Sequence, residues 1–390
     1  MTSGPAPDAG ARLTSIVRRE YPDPGPGIFL NSASWGLLPK SSAEAAADLT
    51  LRRNRNHGFE ESELGAIQRR CRSAIARLIG ADAGEIALSP NTSFGVNLGA
   101  GLLRAGRPGT IIVSEGEFPA NVLPFLALED EGFTVRIVPC GPDGLPDEDG
   151  LIEWVEAPDV VAVAVSAVQF ATGHRSDLSR IGGACRDRDV LFLVDAIQQV
   201  GVAPIDVRAM DADLVACGGQ KWLCAPWGSG FTWIRREVQE RFPPPMVSWL
   251  ATATGADFSD MLHYSMTWRS NARKFELATL GVQDYLGLAR SIEILEEVGV
   301  ADIRAHVLAL HDVLIDWVDR SAAVLVSPRD PDRRAGIITI GMDAVSTAAR
   351  ALGERGIVCS VREGALRFAP HFYNTRDDID AVIEILEDIG

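Results

Sequence analysis

The sequence predicts an α/β fold: a large domain built on a mostly parallel sheet, followed by a smaller C-terminal α+β domain. Between residues 85 and 235, short apolar segments alternate with stretches of helical periodicity, the order that gives parallel strands joined by helices. Two of these segments, Val160–Val165 and Val190–Val194, are continuously apolar, as in central strands buried on both faces. The alternation ends at Phe242-Pro-Pro-Pro245, which leads into a second unit.

The length and composition are those of a globular protein with two domains. A chain of 390 residues can bury a large core, and 46% hydrophobic with 23% charged residues is an ordinary balance. We therefore predict a flexible N-terminal segment (1–27), a large domain (28–278) and a small C-terminal domain (279–390).

Charge and residue spacing disfavour several kinds of partner. A net charge of −16 is unfavourable for binding nucleic acid, and no apolar run is long enough to span a membrane. The first residues lack the basic and apolar regions of a signal peptide. The six cysteines are scattered without a CxxC pair, and the histidines lack metal-ligand spacing. We expect reduced thiols, no metal and a cytoplasmic location.

The elements before residue 248 follow from local composition. Residues 1–10 are small, polar and rich in Pro and Gly, and residues 22–27 form a Pro/Gly-rich linker. Ile28–Leu30 predicts a short strand that ends at Asn31. Residues 40–80 predict helix with a break near 54–58 and with Ser41 or Ser42 as its cap. The next segments alternate between strands and helices. Strands are predicted at 86–88, 110–113, 134–138, 160–165, 190–194, from 213 onward and at 231–234. Helices are predicted at 94–103, 121–131, up to 156 and at 177–188.

The C-terminal third predicts mixed structure. Residues 248–279 are irregular and aromatic, and a long helical stretch runs from residue 279 through 317. Strands are predicted at 324–326, 336–340 and 366–368, with helices at 345–355 and from 375 onward.

Ligands in sheets of this kind collect at the carboxyl ends of the strands. Lys221 lies there, between two strand-like segments. Taken alone it reads as a solvated lysine in a turn, but burial would lower its pKa and make the amine a nucleophile toward aldehydes. Asp195 ends a buried strand, where it either caps a helix or needs a cationic partner. Other polar segments at strand ends are Ser89–Ser93, Ser114–Phe118 and Ser166–Thr172.

Together these motifs resemble the class V aminotransferase family of fold-type-I pyridoxal phosphate enzymes, which includes cysteine desulfurases and isopenicillin N epimerase-like enzymes. The similarity extends from about Phe29 to Leu386 and implies the fold-type-I architecture, a seven-stranded type of sheet and pyridoxal 5'-phosphate as cofactor. Its most specific parts are Val194-Asp195-Ala-Ile-Gln198-Gln-Val-Gly201, Asp213, and Lys221-Trp-Leu followed by Gly228 and Gly230.

The resemblance implies a role for each matching residue. Lys221 would form the Schiff base and move the proton at the substrate Cα. Asp195 would keep the pyridine nitrogen protonated, so that the ring acts as an electron sink, and Gln198 would donate to the phenolic oxygen. Thr92 and Ser93, at a helix start, would bind the phosphate, although a simple N-cap would also explain them.

The resemblance also places Phe118 on the face of the cofactor ring, where a core phenylalanine is the other interpretation. Gln169 falls near the cofactor oxygen. Gln220 replaces a more usual histidine and Gly218 replaces a common phosphate-binding serine, so the phosphate is expected to depend on Gln220 and the helix start. Thr279 matches a threonine that reaches the phosphate of the neighbouring subunit, which implies a homodimer with its active site at the subunit interface; Ala278 replaces the usual glycine before it.

Arg367 resembles the arginine that pairs with the substrate carboxylate, and Asn31 joins it in the implied substrate-binding set. A strand residue in a surface ion pair is the other interpretation of Arg367. Val361-Arg362-Glu-Gly-Ala-Leu-Arg367 lacks the loop that carries the persulfide-forming cysteine of cysteine desulfurases, and Cys359 lies before it.

We therefore predict a lyase-type β-elimination at an amino acid or amino-acid conjugate, such as C–S cleavage, with residues 248–268 forming a pocket for a bulky substrate. Transamination is the alternative, followed by epimerisation and decarboxylation. A non-catalytic regulator of this fold would carry a basic helix-turn-helix domain, which the sequence lacks. No Walker or dinucleotide glycine motif indicates a nucleotide-binding protein.

Overall fold

The computed structural model describes residues 9–23, 25–56, 58–255, 259–260, 262–277 and 279–389. The helices are α1 (Ala9–Glu20), α2 (Lys40–Arg52), α3 (Glu61–Ile79), α4 (Thr92–Leu103), α5 (Leu123–Leu126), α6 (Glu148–Val155), α7 (Leu178–Asp187), α8 (Arg236–Arg241), α9 (Val282–Val298), α10 (Val300–Val318), α11 (Val345–Glu354) and α12 (Arg376–Glu387). The strands are β1 (Ile28–Phe29), β2 (Ile86–Leu88), β3 (Thr110–Ser114), β4 (Thr134–Val138), β5 (Val160–Ser166), β6 (Leu191–Asp195), β7 (Leu214–Gly218), β8 (Gly230–Ile234), β9 (Val324–Leu325), β10 (Ile338–Gly341), β11 (Ile357–Val358), β12 (Ser360–Arg362) and β13 (Ala365–Phe368).

A seven-stranded sheet in the order β2-β8-β7-β6-β5-β3-β4 forms the centre of the large domain. Neighbouring strands from β7 through β4 run parallel, while β8 is antiparallel to both β7 and β2. This arrangement confirms the predicted α/β class and the mostly parallel sheet. No helix in the described ranges has the length and apolar character to cross a membrane.

Both faces of the sheet are buried. Along β5, Val163 and Val165 belong to one core while Ala162 and Ala164 belong to the other, because successive side chains of a strand point to opposite faces. Residues of α3, α6, α7 and α9 pack into the first core, and residues of α4, α5 and α8 into the second. The continuous apolar sequences of β5 and β6 follow from this double burial.

The smaller unit contains a four-stranded antiparallel sheet in the order β12-β13-β10-β9. Residues of α10, α11 and α12 fill its core, together with Leu30. β1 pairs with β11 of this unit, whereas Tyr285 and Leu288 of α9 belong to the core of the large domain. β1 therefore pairs with the small unit and not with the large domain. The helical stretch is interrupted at Gly299, whose φ is +95°, but Ile303 and Val307 of α10 still belong to the large-domain core.

The N-terminal segment is not a flexible lead-in where the structure describes it. Residues 9–20 form α1, in which Leu13, Ile16 and Val17 share one face and pack against the large-domain core. This i, i+3, i+4 spacing was hidden by the surrounding small residues. Residues 1–8 of the predicted flexible segment lie outside the described part.

Two other local predictions were wrong. Ser41 and Ser42 do not cap α2, which starts after Pro39 without a side-chain cap; their hydroxyls bond instead to Glu20 and Ser291. The predicted helix over 121–131 is reduced to α5 and short 3-10 turns. A proline in the first turn of α5 and Gly132 at φ +90° keep these turns from joining into a longer helix.

The fold brings the carboxyl ends of β3, β5, β6 and β7 to one edge of the sheet. α4 approaches this edge closely because Gly95 has no side chain. A Cβ atom there would lie 2.6 Å from both Ala216 Cβ and Thr232 Oγ1. The first turn of α4 is therefore next to the end of β7.

Candidate active site

Lys221 lies in the connection between β7 and β8, and its main chain is fixed on both sides. The Lys221 carbonyl accepts a hydrogen bond from Cys224 N at 3.0 Å, and the Gln220 carbonyl accepts one from Gly36 N at 2.9 Å. A Cβ atom on Gly36 would lie 2.3 Å from the Lys221 oxygen, so only glycine allows this contact. The lysine is thus presented from a rigid loop.

Trp222, the next residue, ties this loop to both domains. Its fully buried indole donates to Gln198 Oε1 at 2.7 Å, and its carbonyl accepts from His371 Nε2 at 3.0 Å. Burial lowers the pKa of His371 to about 4, and its Nδ1 accepts from Phe372 N. The His371 ring is therefore neutral, with its proton on Nε2.

The charges of Lys221 and Asp195 are tuned by burial. Burial lowers the pKa of Lys221 to about 8; Asp195 opposes this shift and Arg367 adds to it. Asp195, at the end of β6, is 3% exposed, and burial raises its pKa to about 6 against the effects of Ile197 N and Lys221. At neutral pH the carboxylate is ionised, while a fraction of the amine is uncharged. The surface-lysine interpretation of Lys221 is therefore wrong.

The first turn of α4 provides donors for an anion. Thr92 is buried, and its Oγ1 accepts a hydrogen bond from Gly218 N at 2.9 Å, which leaves the hydroxyl proton free to donate. Ser93 is exposed beside it. The helix cap is Asn91, whose Oδ1 accepts from Phe94 N, and not the threonine or serine. This turn suits a phosphate because unpaired N–H groups and the helix dipole favour negative charge.

Gln220 compensates for the unusual Gly218. A Cβ atom on Gly218 would lie 2.5 Å from Gln220 Oε1. The amide of Gln220 therefore occupies the space that a serine side chain at 218 would take, and it places a polar group near Thr92.

Phe118 and Gln169 border the same site. The Phe118 side chain is 47% exposed, with its ring centre 5.9 Å from Lys221 Nζ and 5.3 Å from the Phe170 ring. Gln169 is buried and donates through Nε2 to the Glu115 carbonyl at 3.2 Å. An exposed aromatic face above a lysine amine suits a flat ligand ring.

Glu117 is a site residue that sequence reasoning missed. Burial raises the pKa of its carboxyl to about 7, against hydrogen bonds from Ser166 and Asn121, and Asp195 raises it further. The available signal was its position next to Phe118, just beyond the end of β3.

Arg367 is 2% exposed and has no acidic partner among the described residues. Its guanidinium donates to Ser360 Oγ at 3.1 Å, Phe170 O at 2.8 Å and Ser34 Oγ at 3.1 Å. Asn31 acts through this network, because its Oδ1 accepts from Ser34 Oγ at 2.8 Å. Burial and nearby Arg362 lower the pKa of Arg367 to about 10, so it stays charged. A buried cation without a counter-charge is a binding site for an anion.

Two predicted residues are placed differently. Thr279 is exposed and adopts φ +62°, and among the described residues no hydrogen bond joins it to another predicted site residue. Both ends of the Gln198 amide are engaged: Nε2 donates to Ala33 O at 3.1 Å and Oε1 accepts from Trp222. Only the second Nε2 proton of Gln198 remains for a ligand.

A cavity of about 460 Å³ adjoins these residues and is lined by Gly116, Glu117, Pro119, Gln169–Thr172, Thr339 and Arg362–Glu363, among others. Phe170 connects it to Lys221, since its ring contacts Phe118. None of the described residues of 248–268 lines this cavity. Several of them line a separate cavity of about 350 Å³, whose lining includes none of the predicted site residues, and Thr252 pairs with Trp268 in an isolated bridge.

Comparison with known proteins identifies the family. The family model described as aminotransferase class-V matches residues 28–382. The chain belongs to the class-V aminotransferase family. Among the relatives of this class-V enzyme is a probable cysteine desulfurase of Methanothermobacter thermautotrophicus, 29% identical, with alignment over 97% of this chain and 98% of the relative. The isopenicillin N epimerase of Streptomyces clavuligerus is 27% identical over 92% of this chain and 94% of its own.

Solved structures share the fold of the class-V enzyme. The apo cysteine desulfurase of Thermococcus onnurineus superposes with a TM-score of 0.86 at 22% identity, covering 100% of this chain and 99% of that one. The cystine C–S lyase C-DES gives the same TM-score at 21% identity over 95% and 99% of the two chains.

The class-V protein is thus a pyridoxal phosphate-dependent enzyme that acts on amino acids. Its residues fit the cofactor. Lys221 supplies an amine with a lowered pKa, and Asp195 supplies a buried carboxylate whose only hydrogen bond in the described chain comes from Ile197 N. Phe118 supplies an exposed aromatic face, and α4 supplies a helix start. When bound, pyridoxal phosphate withdraws electrons from the substrate Cα.

The lowered pKa of Lys221 predicts the pH dependence of its covalent attachment to the cofactor. The rate at which apoenzyme links to added pyridoxal phosphate is expected to rise about tenfold per pH unit and to level off above about pH 8, because only the neutral amine reacts. Stopped-flow absorbance measures this rate. Arg367→Gln should move the midpoint upward, since it removes a cation that disfavours the ammonium. A profile that keeps rising through pH 10 would show an ordinary, solvated lysine.

Proposed function

We propose that the enzyme catalyses β-elimination at cysteine conjugates, cleaving the C–S bond without an enzyme persulfide. The observation that carries this proposal is the tight turn between β12 and β13. Glu363 (φ +45°) and Gly364 (φ +77°) join the strands directly, which leaves no loop on which a thiol could reach Lys221. One structural neighbour, itself described as a cystine C–S lyase, supports the same reaction class.

In this proposal each residue has a separate task. Arg367 binds the α-carboxylate, for which its unpaired charge and its fixed guanidinium are suited. Asp195 holds the pyridine nitrogen protonated. The Lys221 amine removes the Cα proton, as expected of a general base whose pKa is near neutrality. Thr92, Ser93 and Gln220 hold the phosphate, while Phe118 covers the ring.

The overall reaction balances without an oxidant or reductant. The Cα–H and Cβ–S bonds break, the sulfur leaves as a thiol, and water releases the remaining carbon skeleton as pyruvate with ammonia. Transamination and epimerisation share the first proton transfer and would differ only afterwards; an epimerase is among the relatives.

Product analysis tests this proposal. With S-ethyl-L-cysteine, we expect ethanethiol, pyruvate and ammonia in equal amounts, without added keto acid. Appearance of an amino acid from an added keto acid would indicate transamination, and the D-isomer of the substrate would indicate epimerisation. Either result, with no thiol released, would refute elimination.

The two cysteines that are not fully buried, Cys140 and Cys359, are expected to be dispensable. Cys140 lines the 460 Å³ cavity, and Cys359 precedes β12, but burial raises the pKa of both thiols, to about 11 for Cys359. A persulfide-forming cysteine must attack as the thiolate. The double variant Cys140→Ala/Cys359→Ala should therefore keep kcat for S-ethyl-L-cysteine and for L-cysteine within about twofold. A loss of L-cysteine turnover alone, by roughly 10²-fold or more, would mean that one of them accepts sulfur.

The proposal includes a homodimer in the cytoplasm. Trp227 and Leu277 are exposed apolar side chains near the segments that form the site, and Thr279 is exposed as well. A second subunit would cover these side chains and bring Thr279 to the neighbouring phosphate. All the cysteines are free thiols, as in a reducing compartment.

A further inference from the structure

Two arginines lie on one hairpin next to the proposed active site, and the proposed function uses only one. Arg367 lies on β13, and Arg362 ends the neighbouring strand β12. Arg362 lines the cavity of about 460 Å³ and is half-buried. Within the described ranges, the only hydrogen bond of its side chain is from Nη1 to the Val361 carbonyl at 2.8 Å. Among the described residues, no carboxylate forms an ion pair with either guanidinium. The hairpin thus carries two positive charges without counter-charges.

The acidic residues of the cavity do not neutralise Arg362. Glu363 and Glu117 also line it, but Glu363 is exposed at the turn, and Glu117 is bonded to Ser166 and Asn121. The two arginines act on one another and on the active site, because Arg362 lowers the pKa of both Arg367 and Lys221. An anionic group bound at Arg362 would relieve this repulsion.

The size of the cavity indicates where that anion belongs. A volume of about 460 Å³ exceeds what the side chain of cysteine needs, so the part of the cavity beyond Phe170 is available to the far end of a longer substrate. Phe170 contacts both regions: its carbonyl accepts from Arg367, and it lines the same cavity as Arg362.

We propose that Arg362 binds a carboxylate at the end of the substrate side chain, so that the preferred substrates are amino acids or cysteine conjugates with a distal carboxylate. This inference rests on the proposed function for the role of Arg367 at the α-carboxylate. Arg362 is a specificity residue and takes no part in proton transfer.

Binding of isosteric ligands tests the inference independently of elimination. The ligands are 2-aminoheptanedioate, which replaces the sulfur of S-(2-carboxyethyl)-L-cysteine by CH₂, and its distal amide. Titration calorimetry with the holoenzyme should show that the diacid binds at least about tenfold more tightly than the amide. Arg362→Gln should remove this preference while leaving the amide's affinity unchanged. Arg362→Lys should keep part of it, since a lysine retains the charge but not the planar donors.

Control measurements distinguish the possible causes of a change in the preference for the diacid. Arg376→Gln, which removes the same charge from the exposed first turn of α12, should leave the preference intact. If Arg362→Gln weakens the binding of the diacid and of the amide equally, Arg362 serves the α-carboxylate or the fold instead. If the wild-type enzyme binds the two ligands equally well, the inference is refuted without any variant. Failure to release thiol from S-ethyl-L-cysteine refutes the proposed elimination instead, and it leaves the ligand preference unaffected.

Discussion

Lys221→Ala is expected to abolish covalent attachment of the cofactor and to reduce activity by roughly 10³-fold or more. The variant removes both the amine that links to pyridoxal phosphate and the proposed base, and general acid–base catalysis alone contributes about 10²–10⁴-fold. The fold should survive, because the loop is held by main-chain bonds and by buried Trp222, none of which involves the lysine side chain.

The chain offers well-matched controls for this experiment because it contains only three lysines, Lys40, Lys221 and Lys274. Lys40 is exposed and lies 3.8 Å from Glu44, and the Lys274 amine donates to main-chain carbonyls, including Phe242 O at 2.9 Å. Borohydride reduction followed by peptide mass spectrometry should place the cofactor on Lys221 in the wild type and in Lys40→Ala. Labelling that persists in Lys221→Ala would refute the role of this residue.

Arg367→Gln is expected to lower kcat/KM for amino-acid substrates by about 10²-fold or more, mainly through KM. Losing one partner of a buried charge pair typically costs about 2–5 kcal/mol of binding free energy. Arg367 has no other counter-charge among the described residues. Cofactor content should remain normal, because the guanidinium bonds to Ser360, Ser34 and Phe170 rather than to the phosphate-binding turn.

Steady-state kinetics with cofactor quantification checks this expectation. Ser34→Ala is a useful companion variant, because it removes one hydrogen bond to Arg367 while keeping its charge, and a smaller rise in KM should follow. A variant at 367 that loses the cofactor but binds substrate normally would give this arginine a structural role.

The sequence was sufficient for the strands that are buried on both faces and for the residues at their ends. Apolar runs located β5 and β6, and the polar residue that follows such a run, Asp195, lies where the parallel strands end. α1 was missed because its apolar face is only three residues wide within a segment rich in small residues. The assignment of residues 279–298 to the small domain missed the packing of α9 into the large-domain core, because helical periodicity continues from α9 into α10.

Neither the cavity of about 460 Å³ nor the hydrogen bonds of Arg367 could be predicted, because distant segments form both. Arg367 meets Ser34 across 333 positions and Phe170 across 197, through the placement of the small sheet against the large one. Nothing local in the sequence encodes these contacts. The aromatic residues of 248–268 suggested a pocket by composition alone, whereas the observed cavity is formed largely by strand ends and turns.

The fate of L-cysteine tests the central claim most directly. A desulfurase transfers the sulfur to its own cysteine and releases alanine, while elimination releases hydrogen sulfide, pyruvate and ammonia. With purified wild-type enzyme and no added thiol, we predict equal amounts of sulfide and pyruvate, no alanine, and an unchanged protein mass after turnover. Alanine as the main product, together with a protein heavier by one sulfur atom, would contradict the account.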